Sequence, residues 1–370
     1  MKPRYCLLGG IAAIVAAAAL AGCDPNKNQP AANGQPGTSG PATSAGQQPP
    51  TAPPAGAGTY KVITNGISPF WDSMGKGLDA AKGQLKCNAD WQAPNPADNN
   101  EQVKLFKTAV AAKVDGIAVS VIEAKAMAPV IDDAIQQGIP VITFDSDSPD
   151  SKRYAYIGTN NYEAGKIAGQ ETVKLFPNGG KLVAFVGNMG AQNAQERYNG
   201  MKDAVKGHNI EFLQEPFEDN KDKGKARKNV EDAITRYQAK GLTGLVGLYS
   251  YNGPTIVSAV QAQGLRSKIK IICFDGEPET LNNLSKGLVD VTVVQKPYEF
   301  GRLSVLLLDA LKKENKDIDK AIGDIKPELD KQQMKVDTSK HVIDTGVDVI
   351  TPANAAPFLK SLKDRGLSST

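Results

Sequence analysis

The chain is poor in the groups most catalytic centres need. Its 370 residues include two histidines, His208 in a Gly-His-Asn turn and His341 near the C-terminal end. No metal-ligand spacing, Gly-x-Ser-x-Gly elbow or Cys–His constellation occurs. Gly187 and Gly190 are followed by no Gly-Lys-Ser/Thr, so a phosphate loop is excluded. Charge of one sign is also lacking: 43 Lys and Arg face 40 Asp and Glu, a net +3. The charges are interspersed, apart from small basic clusters near 221–228 and 312–320 that have the character of solvated helix faces. Nothing forms a nucleic-acid footprint. These absences predict no metal, no cofactor, no nucleic-acid partner and no enzyme. The acids Asp145 and Asp275 leave glycoside hydrolysis as the enzymatic alternative. Cysteine is scarce as well, with four in all. Cys6 and Cys23 lie in the first segment of the chain. Cys273 sits in the apolar run 269–274, where a buried thiol is expected, so no Cys87–Cys273 disulfide is predicted.

What is present begins at the N-terminus. Lys2 and Arg4 precede an apolar stretch, 7–20, that closes on small residues, the pattern of a secretory signal. The stretch is short for a span of about 20 apolar residues. Leu20-Ala21-Gly22-Cys23 resembles a bacterial lipobox. The resemblance implies cleavage after residue 22 and lipidation of Cys23. Asp24 resembles a signal for retention in the inner membrane. The protein is then expected at the periplasmic or extracellular face of the cytoplasmic membrane. Residues 25–58 are almost wholly Pro, Ala, Gly, Gln, Ser, Thr and Asn, with no aliphatic larger than Ala. Such a segment buries no core and reads as a tether spanning roughly 30 Å.

From residue 59 onward, short apolar runs alternate with helical patterns. The predicted strands are 60–64, 116–121, 140–144, 154–158, 181–186, 210–216, 244–249, 269–274 and 289–294. Helices are predicted at 70–85, 99–113, 124–137, 162–175, 194–206, 223–240, 254–263, 277–286 and 298–313. Several strands are continuously apolar, as in parallel sheets covered on both faces. Gly138, Gly207, Gly241, Gly264 and Gly287 stop the helices. The alternation predicts an α/β protein of doubly wound parallel-sheet domains, and the length predicts two. The tail reads as one strand over 342–350 and a short helix over 354–362. Residues 314–335 are polar and receive no element.

Ligands of such sheets bind at the carboxyl ends of strands. Nearly every strand exit carries a polar or aromatic group: Ser68-Pro69-Phe70-Trp71, Ser120, Asp145-Ser146, Gly187-Asn188 leading to Arg197, Ser250-Tyr251-Asn252, Asp275-Gly276 and Gln295-Lys296-Pro297. Carboxylates accept hydroxyl protons, a guanidinium donates through a fixed fork, and aromatic rings cover C–H faces. Together these groups suit a sugar. Each also has a structural alternative. Asp145 and Asp275 could cap or turn the chain, Arg197 could pair with Glu196 at the surface, and Phe70 and Trp71 could be core residues.

The order of these motifs, with Ile139-Pro140-Val141-Ile142-Thr143-Phe144-Asp145, Tyr156-Ile157-Gly158-Thr159-Asn160-Asn161 and Val294-Gln295-Lys296-Pro297, resembles the type I periplasmic binding proteins of sugar ABC importers, the ribose- and galactose-like group. The resemblance covers 60 to about 313. It implies two lobes joined by a hinge near Asn160, near Gln295 and within 326–345. The first lobe would hold 59–160 plus about 296–335, and the second 161–295 plus about 336–370. By the same resemblance Phe70 and Trp71 clamp a sugar ring, while Asp145, Arg197, Asp275 and Gln295 bond its hydroxyls. Ser68 and Ser120 stand where ribose binders use Asn, and Ser146 where they use Arg. Lys221, with Asn220 beside it, stands where they use an aromatic. The 249–252 stretch covers a further Asn contact, with Asn252 favoured. The implied partners are a small sugar, an ABC permease and its ATPase, and a membrane reached through the lipid. A monomer is expected. A sensor acting with a chemoreceptor or kinase is the alternative.

Overall fold

The computed structural model describes residues 56–370. The signal, the lipidation of Cys23 and almost all of the tether lie outside the described residues. The chain opens with β1 (Thr59–Ile63), α1 (Phe70–Leu85), β2 (Asn88–Gln92), α2 (Asn99–Ala111), β3 (Gly116–Val119), α3 (Ala124–Gln136), β4 (Val141–Phe144) and β5 (Tyr156–Gly158). It then crosses to a second lobe at residues 159–160. There α4 (Asn161–Leu175), β6 (Gly180–Val186), α5 (Gln192–Val205), β7 (Ile210–Phe212), β8 (Phe217–Glu218), α6 (Lys223–Tyr237), β9 (Gly244–Gly247), α7 (Asn252–Ala262), β10 (Lys270–Phe274), α8 (Pro278–Ser285) and β11 (Val291–Val294) follow. A return crossing at 295–296 leads to α9 (Pro297–Lys313), α10 (Ile318–Lys331), β12 (Lys335–Asp337) and β13 (Val342–Asp344). A third, at 345–347, delivers β14 (Asp348–Ile350) and α11 (Ala355–Asp364) to the second lobe.

Strands β3, β4, β5, β9 and β11 are buried along their whole length, which is why their sequences run apolar without alternation. The first sheet has the order β12-β13-β5-β4-β3-β1-β2, and the second β14-β11-β10-β9-β6-β7 with β8 beside β6. In the first lobe α1, α9 and α10 cover one face and α2 and α3 the other; in the second α4 and α5 oppose α6 and α7. Polar side chains start several helices. The Asn160 side chain accepts from the Glu163 amide, and Asp98 and Asp222 do the same at α2 and α6. Each such cap contributes about 1 kcal/mol. Asn160 thereby fixes where the chain turns from crossing into helix.

Three expectations are corrected. The sheets are not wholly parallel: β12 runs antiparallel to β13, and β14 to β11, at the sheet edges. The tail is not one strand but two, and they belong to different lobes. Residues 335–344 extend the first sheet, so the assignment of everything beyond 336 to the second lobe fails. The unplaced polar stretch holds α10, whose Ala321, Ile322, Ile325 and Leu329 are buried at helical spacing behind Pro327. Cys87 and Cys273 are buried free thiols in separate lobes.

Candidate functional site

The two sheets point their carboxyl ends at one cavity of about 110 Å3 between the lobes. That is well above the roughly 10–15 Å3 at which a cavity first holds one water. Its first-lobe wall is largely apolar. Phe70 and Trp71 open α1 in an edge-on pair with centroids 4.7 Å apart, and Trp71 meets Phe144 at 5.8 Å. Both rings also belong to the first lobe's core, so packing locks the face they present.

Asp145 follows β4 and Asp275 follows β10, each directly after a phenylalanine. Both adopt left-handed backbone, φ 58° and 65°. That conformation costs a non-glycine residue about 1–2 kcal/mol. The conformation recurs at equivalent strand ends of the two lobes, and aspartate is among the residues that tolerate it. The Ser120 hydroxyl donates to Asp145 at 2.7 Å, and the Asn65 amide spans Ser120 and Asp145 at 3.0 and 3.4 Å. Gln295 donates to Asp275 at 2.9 Å.

Arg197 rises from α5 between the two acids and is 2% exposed. Its Nε donates to Asn161 Oδ1 at 2.9 Å and its Nη1 to the Leu248 carbonyl at 2.8 Å. Nη1 lies 3.8 Å from Asp275, and the guanidinium sits 4.8 Å over the Phe274 ring. Nη2 of Arg197 and Oε1 of Gln295 are buried without a protein partner. A buried polar atom left so is costly, and both residues line the cavity.

The second-lobe wall continues through Tyr249, Ser250, Tyr251 and Glu277. Glu277 accepts from Ser250 at 2.9 Å and, across the cleft, from Ser68 at 3.2 Å. Lys221 also crosses, its ammonium donating to the Asn65 carbonyl. Burial lowers that ammonium to about 8, with Asp145 and Asp219 pulling it back up. Burial pushes the Asp145 carboxyl up to about 6. Arg197, Ser120 and Lys221 oppose the rise and Asp275 adds to it. Asp219, buried behind the wall under Tyr251, Asn252 and the Lys221 amide, is also pushed by burial up to about 6. Asp275 and Glu277 are raised too, again by burial first.

The sign of the pH effect follows. As pH falls through about 6 the folded protein takes up protons at Asp145 and Asp219 that the unfolded chain, titrating near 3.8, does not. These two groups make the native state more stable as pH drops from about 6 toward 3.8, and that gain is lost as pH rises again through 6. Ligand-free Asp145→Asn should melt no lower than the parent at pH 7 and show a smaller gain than the parent between pH 6 and 4. Thermal melts across that range check it; an unchanged pH slope would remove Asp145 as a buried titrating group.

Eight of the twelve residues expected at a ligand line the cavity: Ser68, Phe70, Trp71, Asp145, Arg197, Lys221, Asp275 and Gln295. Four do not. Ser120 is fully buried and serves Asp145 from behind. Ser146 is buried in the tight turn that Asp145 forces, its amide bonded to the Phe144 carbonyl. Asn220 faces solvent. Asn252 begins α7, holding the Tyr249 amide and Asp219. Asn65, Asn193, Tyr249 and Glu277 were missed. Asn65 lies three residues before one flagged motif and Glu277 directly after another, and only the fold turns them inward.

Two such lobes around one shared cleft are the architecture of a binding protein, and the comparisons agree. Residues 61–317 match the family model described as periplasmic binding protein domain. The chain belongs to that family and has its type I fold. The xylose/arabinose-binding protein XylF of Sulfolobus acidocaldarius is 26% identical over 68% of this chain and 65% of its own length; the chain thus spans less than two thirds of that relative. An ABC transporter solute-binding protein of Burkholderia graminis, solved in complex with D-arabinose, is 29% identical with a TM-score of 0.71, covering 80% of this chain and 96% of that one. The XylFII–LytSN complex supplies another neighbour, 28% identical with a TM-score of 0.69, covering 80% and 98%. Among the described residues no helix is long and apolar enough to cross a membrane.

Proposed function

We propose that this protein is a solute receptor, tethered through lipid at Cys23, that captures one pentose-sized sugar and hands it to an ABC permease powered by its ATPase. The observation that carries this is the cavity itself. It is an aromatic wall faced by acids, an amide and a guanidinium from the opposite lobe, with Arg197 Nη2 and Gln295 Oε1 unpartnered. Ionised groups of both signs line it, with Asp145, Asp275 and Glu277 balancing Arg197, Lys221 and Lys223. A neutral guest with several hydroxyls suits that balance better than a phosphate or an amine. Side chains from both lobes meet only when the lobes are shut, so a guest touching both favours closure. Phe70 and Trp71 would cover the C–H face; Asp145, Asp275, Gln295 and Arg197 would take the hydroxyls, with Asn65 and Ser120 fixing Asp145. The named relatives are binding proteins.

The sensing reading is kept as the second, because the likeness extends to XylFII in its complex with LytSN. In both readings the captured molecule is the same. Titration calorimetry with aldopentoses, hexoses and a disaccharide tests capture. A dissociation constant at or below about 1 μM for an aldopentose, with the disaccharide silent, is expected. Flat heats across the whole panel would overturn the reading.

A further inference from the structure

The residues that precede the end of the described chain do something no motif predicted. Leu362 at the end of α11 and Leu367 beyond it pack on Leu281 of α8, fixing this segment to the second lobe. Beyond Leu367 the chain runs inward. Ser369 is 1% exposed and Thr370 6%. Thr370 grips the second lobe at the site: the Gly276 amide donates to its Oγ1 at 2.9 Å, and its own amide donates to the Gly276 carbonyl at 3.2 Å. Gly276 lies between Asp275 and Glu277, both of which line the cavity. A Cβ at Gly276 would stand 2.8 Å from the Thr370 methyl, so glycine is what permits this approach.

Ser369 faces the other way. Its carbonyl accepts from Ser73 Oγ of the first lobe at 2.7 Å, the two hydroxyls lie 3.2 Å apart, and Ser369 Oγ donates to the Pro69 carbonyl at 3.3 Å. Pro69 and Ser73 flank Phe70 and Trp71 in the chain. One dipeptide therefore touches the backbone beside the aromatic wall and the backbone beside the acidic wall.

We infer that Ser369 and Thr370 are positioning residues for ligand capture, a clasp that joins the two walls of the cavity and is made only when the lobes are closed. The segment is fixed to the second lobe, so opening must separate Ser369 from Pro69 and Ser73 while leaving Thr370 on Gly276. Part of the closing free energy then comes from the protein's own contacts rather than from the guest. It acts chiefly on how long the guest is held, since the clasp forms after entry and breaks before exit. This inference rests on the two-lobe capture proposed above.

Two changes outside the cavity test it: Ser73→Ala, which deletes the first-lobe donor, and removal of residues 368–370. Either should speed dissociation of a bound aldopentose about 3–10-fold, the equivalent of about one net hydrogen bond. Association should stay within about twofold. Stopped-flow tryptophan fluorescence reads both rates, since Trp71 lines the cavity. Ligand-free samples should give a larger scattering radius than the parent, while Ser73→Ala melts with the parent. A purely structural role would lower the melting temperature without moving the dissociation rate or the radius. Parental dissociation and radius in both variants would overturn the clasp. The scattering comparison needs no sugar, so a silent sugar panel would defeat the capture reading while the clasp still stood or fell on the ligand-free radius.

Discussion

Arg197→Met is expected to abolish ligand binding and to lower stability at pH 7 by about 3–5 kcal/mol, the range for removing one partner of a buried ion pair. Methionine fills similar space but donates nothing. Asn161 Oδ1, the Leu248 carbonyl and the Asp275 carboxylate would all lose a donor or counter-charge in a buried site. Arg197 also restrains the upward shift of both Asp145 and Asp275. Without it both acids hold protons to higher pH, so the stability deficit should be smaller at pH 5 than at pH 7. Arg197→Lys keeps the charge but not the planar fork that reaches several acceptors at once. Its loss of affinity should therefore approach that of Met, with a smaller loss of stability. Urea unfolding at the two pH values and calorimetry with the best sugar decide the matter. A Met variant that binds within threefold of the parent would remove Arg197 from the site.

Gly165→Val should lose both fold stability and ligand binding, although residue 165 does not touch the cavity. Helices α4 and α5 pack backbone against backbone. A Cβ at Gly165 would lie 2.2 Å from the Arg197 carbonyl oxygen, and one at Gly200 would lie 2.1 Å from that of Tyr162. Relieving the first contact requires α5 to retreat by on the order of 1 Å, against the roughly 0.5 Å within which a binding geometry must be held. Overpacking of this kind costs about 1–3 kcal/mol for one extra group, and valine adds three carbons. Affinity should fall more than tenfold because Arg197 moves with its helix. Gly83→Ala supplies the contrast: its Cβ would meet nothing within 4 Å on α1, and the change should add about 0.5–1 kcal/mol. Denaturation curves for both variants and a single affinity measurement on each test the argument. Parental affinity in Gly165→Val would mean that α4 does not set the position of Arg197.

Much of this fold can be read without coordinates because its information is local. The fully buried strands are apolar end to end, the helices carry their stops in glycine, and Phe144-Asp145 and Phe274-Asp275 stand at strand exits. Where reading failed, the missing information was relational. Ser120 and Asn252 have the same chemistry whether they face a guest or brace an aspartate. The helix at 318–331 buries only four residues and contains a proline, so its pattern was faint. Residues 342–350 look like a strand, but the side chains do not say which of two similar sheets each half joins. Three residues between the halves, 345–347, carry the chain from one lobe to the other.

The alternation of strand and helix, the polar strand ends and the resemblance to two-lobed receptors are all legible in the residue order, because periodicity records which face of each element is buried. Which of those polar groups meet is settled by packing alone. Asp145, Arg197 and Asp275 are separated by 52 and 78 positions along the chain, and Ser369 lies 300 positions from Pro69. Contacts at that range depend on how whole lobes pack, a property held jointly by many residues and written in no single motif.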